Sequence, residues 1–173
     1  NNSSSYITGS AGNSASASSN TGTTNDYTSV QGVKASTTGT VYGVYDMSGG
    51  AYEHVAAYID NGNGNLTSYG SSLVNGDAKT KNVYSVGSLD SAESNYKQNA
   101  GKYGDAIYET STSGRGNTSW YSDYSLFSYK SEPFFFRGGG DFGNGTIAGV
   151  FYFIFGNGSD SGRYSFRPVL VAL

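Results

Sequence analysis

His54 is the single histidine of the chain, and cysteine is absent, so the side chains able to do chemistry are few. A lone His on a short amphipathic stretch is ordinarily structural or solvated, and no Ser/Asp arrangement around it defines a triad. Without cysteine, and with one His, no zinc set can be assembled, and disulfides and thiolate nucleophiles are excluded together. Asp60-Asn-Gly-Asn-Gly-Asn65 has the look of a calcium loop but lacks the glutamate required at its twelfth position. Calcium held by carbonyls and Asp side chains stays open as the only cofactor; otherwise none is expected and no metal ligands are assigned. Gly138-Gly-Gly140 follows an apolar run, but no Lys-Ser/Thr comes after it, so it is not a phosphate loop. Asn65-Leu-Thr67 and Asn144-Gly-Thr146 are glycosylation acceptors only in a host that glycosylates. Arg137 and Arg167 lie among Phe, Gly and Pro. Planar forks in that setting predict half-buried guanidiniums paired with Asp46, Glu53 or backbone carbonyls, a structural duty. No reaction class emerges, and the reading is of a protein that is not an enzyme.

The unusual residues sit in the last forty. Scaffold-like positions (Arg137, Gly138, Gly139, Ala148, Gly149, Val150, Phe151, Phe153, then residues 165–170) alternate with a set that shares no chemistry. That set is Asp141, Phe142, Thr146, Ile147, Tyr152, Ile154, Phe155, Ser159, Asp160, Ser161, Gly162, Arg163 and Tyr164. A folding chain normally hides Phe and Ile. Beside turn residues such as Gly143, Asn144, Gly156, Asn157 and Gly158 they are hard to bury, which points to a contact surface. The alternative is a buried terminal strand pair whose loops happen to be aromatic.

The elements that must position these residues read as follows. At 173 residues the chain is one domain, or one domain plus a tail. Charged residues make up 13%, against about 25% in ordinary domains. Gly (26) and Tyr (16), with Ser, Asn and Thr, supply the vocabulary of extracellular recognition, rigid rings among adaptable polar groups. The net charge of −3 excludes a generic nucleic-acid binder. No apolar run approaches the roughly 20 residues that span a membrane, and no signal peptide is visible. A start at Asn1 reads as a processed product or a fragment. Residues 1–40 are a Ser/Thr/Asn/Gly tract, either a linker or a segment ordered on a neighbouring subunit. Residues 41–46 are strand-like. Residues 51–59 read as a short helix with Ala51, Val55 and Tyr58 on one face. A short strand is expected near 82–86. Asp90-Ser-Ala-Glu93 has the form of a capping box, with Asp90 as acceptor, opening a helix over about 91–99. A second helical piece follows over 103–110. Trp120, the only Trp, is expected to anchor the core.

Three segments together resemble one superfamily. Gly43-Val-Tyr-Asp-Met-Ser-Gly-Gly-Ala-Tyr-Glu-His54 resembles the "YDMxGNVWEW" block of the formylglycine-generating enzymes, the sulfatase-modifying family. Arg137-Gly-Gly139 resembles its "RGGS" block, and Ser165-Phe-Arg-Pro-Val-Leu170 its closing "GFRxV" strand. The likeness covers about residues 41–173. It implies an α+β, C-type-lectin-like fold, with short helices around irregular antiparallel sheets. It also implies a structural role for Asp46, Arg137, Gly138, Gly139 and Arg167. The family's asparagine is Gly50 here, its Trp positions are Tyr52 and His54, and its catalytic cysteines are missing, so its oxidation chemistry does not carry over.

The variable proteins of diversity-generating retroelements are the non-enzymatic branch that the chain resembles more closely. They imply a hypervariable ligand-binding region, here about residues 137–168. Their randomised Asn codons cannot become Lys, Glu, Gln, Met or Trp. Those five types occur 14 times in residues 1–133, so about four should fall in residues 134–173; none does. The resemblance therefore implies an adhesin-like binder on a cell surface, pilus or phage virion, meeting a surface protein or glycan receptor. The alternative is a structural subunit of an extracellular filament, pilus or tail fibre, self-associating through exposed aromatics.

Overall fold

The computed structural model describes residues 26–45, 47, 51–138 and 149–167. The architecture is α+β: one open, mixed sheet with a few short helices. The strands are β1 (Tyr52–Asp60), β2 (Asn82–Ser85), β3 (Arg115–Gly116), β4 (Ser125–Leu126), β5 (Phe134–Arg137), β6 (Phe153–Gly156) and β7 (Tyr164–Ser165). Their order is β2-β1-β5-β6-β4-β3, with β7 also on β1. Pairing is not uniformly antiparallel as expected: β1–β2, β1–β7 and β4–β6 run parallel. Glu53 pairs with Arg137 on one side and Ser165 on the other, and Tyr58 with Phe134 and Val83. β7 and β2 therefore share the edge of β1 that faces away from β5.

The helix expected over 51–59 is instead β1. Partners on both edges take up its backbone groups, and this outweighs the helical spacing of Ala51, Val55 and Tyr58. Its C-terminal half is buried on both faces, which erases the alternation that would have revealed a strand. Ala57 and Ile59 join Tyr84, Ala92, Ile107, Phe127, Phe135 and Phe153 in the main core. Tyr58 joins Leu66 and Phe134 in a smaller cluster on the other face. Phe135 and Phe153 are fully buried, each contributing about 1.5–3 kcal/mol by leaving water.

The strand expected over 41–46 is a turn region with one isolated bridge, Ser36–Tyr45; Asp46 lies outside the described residues. Helix α1 (Asn65–Ser68) and helix α2 (Ser71–Asn75) follow β1. Helix α3 (Ala92–Gln98) forms as expected, but its cap is Ser91, whose hydroxyl accepts from Ser94 N at 3.1 Å. Asp90 stands one residue too early, at φ +39°, and its carboxylate accepts from Asn95 Nδ2 and Lys130 N instead. Helix α4 is shorter than expected (Ala106–Thr110), because Asp105 caps it through Ile107 N. Trp120 is not a core anchor: it is 55% exposed and leans on Phe151 at 5.2 Å.

The Asp60–Asn65 turn has a structural use. Asn61 donates to Lys130 O and Asn65 to Ser131 O, both at 2.7 Å. The Asn61 and Asn63 side-chain oxygens accept from the backbone of Asn63 and Asn65. This turn is a staple for the loop that leads into β5. Among the described residues no helix is long and apolar enough to cross a membrane.

Candidate functional site: an aromatic groove beside the last two strands

Strand alternation decides what the terminal segment shows. In β5, Phe135 enters the main core while Phe136 points to the opposite face. Opposite Phe136 in the ladder is Ile154, and opposite Phe134 is Gly156. A Cβ at Gly156 would overlap the Phe136 ring, so only glycine lets that ring lie across β6. Tyr164 of β7 then closes over Phe136 at 4.5 Å between ring centres. His54 stacks on the same Phe136 at 4.3 Å and meets Tyr164 edge-on at 5.4 Å. Tyr52 completes the group at 5.6 Å from Phe136 and 6.1 Å from Tyr164.

Tyr52, Phe136 and Tyr164 wall an open groove of about 500 Å³, lined also by Glu132, Ile154, Phe155, Gly156, Ser161 and Arg163, with His54 packed behind Phe136 and Tyr164. Two opposite charges thus face an aromatic floor. Burial raises the Glu132 carboxyl above its usual range. Burial, then the neighbouring Glu132 charge, raises the Tyr164 hydroxyl, while Arg163 pulls the other way. Burial lowers the His54 imidazole below its ordinary value, favouring the neutral ring. Such a surface can take up an apolar or aromatic group and select its polar rim.

The loop that carries the groove's outer wall is held by its own side chains. Asn157 Oδ1 accepts from both Ser159 N and Ser159 Oγ, at 3.0 and 2.8 Å. Gly158 turns at φ +90°, and a Cβ there would run into Phe134 and Tyr69. Ser161 receives Arg163 N on its hydroxyl and Tyr164 N on its carbonyl. Tyr52 N donates to Arg163 O at 2.9 Å, joining the loop to β1.

Of the residues singled out from sequence, the groove gathers Ile154, Phe155, Ser161, Arg163 and Tyr164. Ser159, Asp160 and Gly162 stand on the adjoining loop, with Asp160 and Gly162 exposed. Tyr152 does not belong with them: just ahead of β6, it is 1% exposed, packed between Tyr52 and Tyr124. Asp141, Phe142, Thr146 and Ile147 lie outside the described residues, as does Gly139. Tyr52, Glu132 and Phe136 were not anticipated. The ladder register that sets Phe136 against Ile154 was the available signal, and it requires knowing which strands pair.

No family model, curated protein or solved structure matches this chain.

The structural residues divide. Arg167 pairs as expected, though it is exposed rather than half-buried: its Nε pairs with Glu53 and its Nη1 donates to Tyr45 O at 2.9 Å. Gly138, at φ +66°, sits beside the Glu53 carboxylate, where a Cβ would come within 3.2 Å. Gly149 is packed against Asp123, whose carboxylate accepts from Phe151 N at 2.9 Å. For Arg137, the expected partner Asp46 lies outside the described residues; among the described ones its guanidinium has no hydrogen-bond or ion-pair partner, and Glu53 pairs with Arg167.

Proposed function

We propose that this chain is an extracellular binding module on a C-type-lectin-like frame, displayed on a cell surface, pilus or phage virion. Its C-terminal groove docks a surface protein or glycan, and a retroelement diversifies it. Recognition, not catalysis, is the outcome. One observation carries the reading: along a single stretch, buried positions (Tyr152, Phe153, Gly156) are interleaved with half-buried ones that open into one groove (Ile154, Phe155, Ser161, Arg163, Tyr164). Exchange at the second kind leaves the core intact, while a contact surface of changeable chemistry results. Sequencing many gene copies from a clonal population tests it. Differences should concentrate within residues 141–164 and spare Tyr152, Phe153 and Gly156. Uniform scatter, or changes gathered in the core positions, defeats the reading.

A second reading, a filament subunit, is favoured by an exposed aromatic cluster elsewhere. Tyr121, 87% exposed, stacks on Phe151 at 5.8 Å beside Trp120. Electron microscopy of the purified protein separates the two: a regular polymer supports the subunit, dispersed particles the binding module.

A further inference from the structure

Arg137, without a hydrogen-bond or ion-pair partner among the described residues, has a setting of its own. Strand alternation turns it away from the groove, onto the face of Phe135. There it lines a second, separate cavity of about 460 Å³. This cavity opens where β1 is irregular: its register with β5 slips between His54 and Tyr58, and on its other edge Val55 and Ala56 fall between the residues that pair with β7 and those that pair with β2. Its floor is apolar (Val55, Ala57, Ile107), and its rim carries Lys79, Lys81, Thr80 and Asn82. The charges do not cancel. Three cations, Arg137, Lys79 and Lys81, face the single carboxylate of Asp105, in a chain whose net charge is −3.

Asp105 is also already committed. One oxygen accepts from Ile107 N at 2.9 Å, capping α4, and the other from the Tyr84 hydroxyl at 2.6 Å. Lys81 is spent on the carbonyls of Leu73 and Val74. What remains open toward the cavity is the Arg137 fork and, at the exposed rim, the Lys79 ammonium. A half-buried guanidinium has five donors and cannot discharge itself by losing a proton. Burial lowers its proton affinity, partly offset by the nearby Asp105 and Tyr84. A bound anion relieves that cost.

We infer that this cavity is a binding site for a small organic carboxylate, with the carboxylate on the Arg137 fork and its carbon skeleton against Val55, Ala57 and Ile107. A planar fork matches a carboxylate with two parallel hydrogen bonds, and one formal charge suits a local excess that Asp105 partly offsets. The volume falls in the range of about 300–1,000 Å³ typical of small-molecule sites. Thr80, Asn82 and the Tyr84 oxygen supply polar contacts for hydroxyl groups on the ligand.

Titration of the whole chain by NMR with acetate, glucuronate, inorganic phosphate and glucose tests this. Acetate and glucuronate should shift the amides of Asn82, Gly104 and Ala106, with glucuronate the tighter, and phosphate should bind more weakly. Arg137→Gln should weaken glucuronate at least about tenfold. Because Arg137 sits in a central strand, two further variants guard against misfolding. Lys79→Ala, at the exposed rim, should weaken binding roughly threefold, and Asp105→Asn, which keeps the helix cap, should tighten it by a similar factor. No shift with either carboxylate overturns the inference, as does phosphate binding more tightly than glucuronate. Glucose binding as well as glucuronate, or affinity unmoved in both rim variants, overturns it too.

Discussion

His54, packed against two rings of the groove, is the side chain whose charge changes near neutral pH, and its surroundings fix the direction. It lies against Phe136 and Tyr164, and burial lowers its proton affinity from an ordinary value of 6.5. The unfolded chain therefore binds the proton more readily than the folded one. Stability is full above about 6.5 and falls as pH drops from there toward the lowered value of the folded state. Below that value the loss levels off. Urea unfolding across this range should show the decline in the natural chain, and His54→Gln should remove that part of it. A parallel pair of curves would mean that the imidazole is as well solvated folded as unfolded. The sequence marked His54 as structural or solvated, and stacking within an aromatic group fits the first of these. It could not say which rings, because those come from β5 and β7, more than eighty residues away.

At the scale of elements, α3 shows how far local signals reach. The capping motif located the helix, and its body lies within the expected span. The motif erred by one residue at the start, because Asp90 has long-range partners that local spacing does not reveal. Removing the true cap, Ser91→Ala, should cost about 1 kcal/mol. Removing Asn95 should cost more. Its amide accepts from Gly87 N and donates to Ser128 O and Asp90, fully buried, so Asn95→Ala strands two backbone groups and should cost roughly 2–5 kcal/mol. Equilibrium denaturation ranks the two, and equal costs would show that water replaces the lost amide. β1 was illegible for a related reason. Its residues satisfy a helical stripe as well as a strand, and only the simultaneous pairing with β2, β5 and β7 chooses between them. The β5–β6 pair was the alternative weighed against a contact surface for the terminal segment. The buried-pair description holds for Phe135 and Phe153, which are sealed in, while Ile154 and Phe155 open into the groove.

Across the whole molecule, order is unevenly secured. β1 and β5 sit centrally, each flanked on both sides, whereas β7 holds to β1 through two residues, Tyr164 and Ser165. Native-state hydrogen exchange should find the β7 amides opening well before those of β5, since sub-global openings start where few bonds must break. Equal protection would mean that the Arg167–Glu53 clamp makes β7 part of the core unit. The wall of the groove that carries Tyr164 is then its most yielding side. The α+β class agrees with what the family resemblance implied; the sheet order was not legible, since parallel partners are brought together over long stretches of chain. The sheet's margins carry a further consequence. Among the described residues it terminates in strands of two to four residues, β3 at one end and β2 with β7 at the other. Ribbons so short offer a neighbouring copy almost no template for zipping backbone to backbone. Among the described residues, the surface left to hold such molecules in a fibre is side-chain faces such as Trp120, Tyr121 and Phe151, and a fibre built on them should come apart on their truncation while each subunit stays folded.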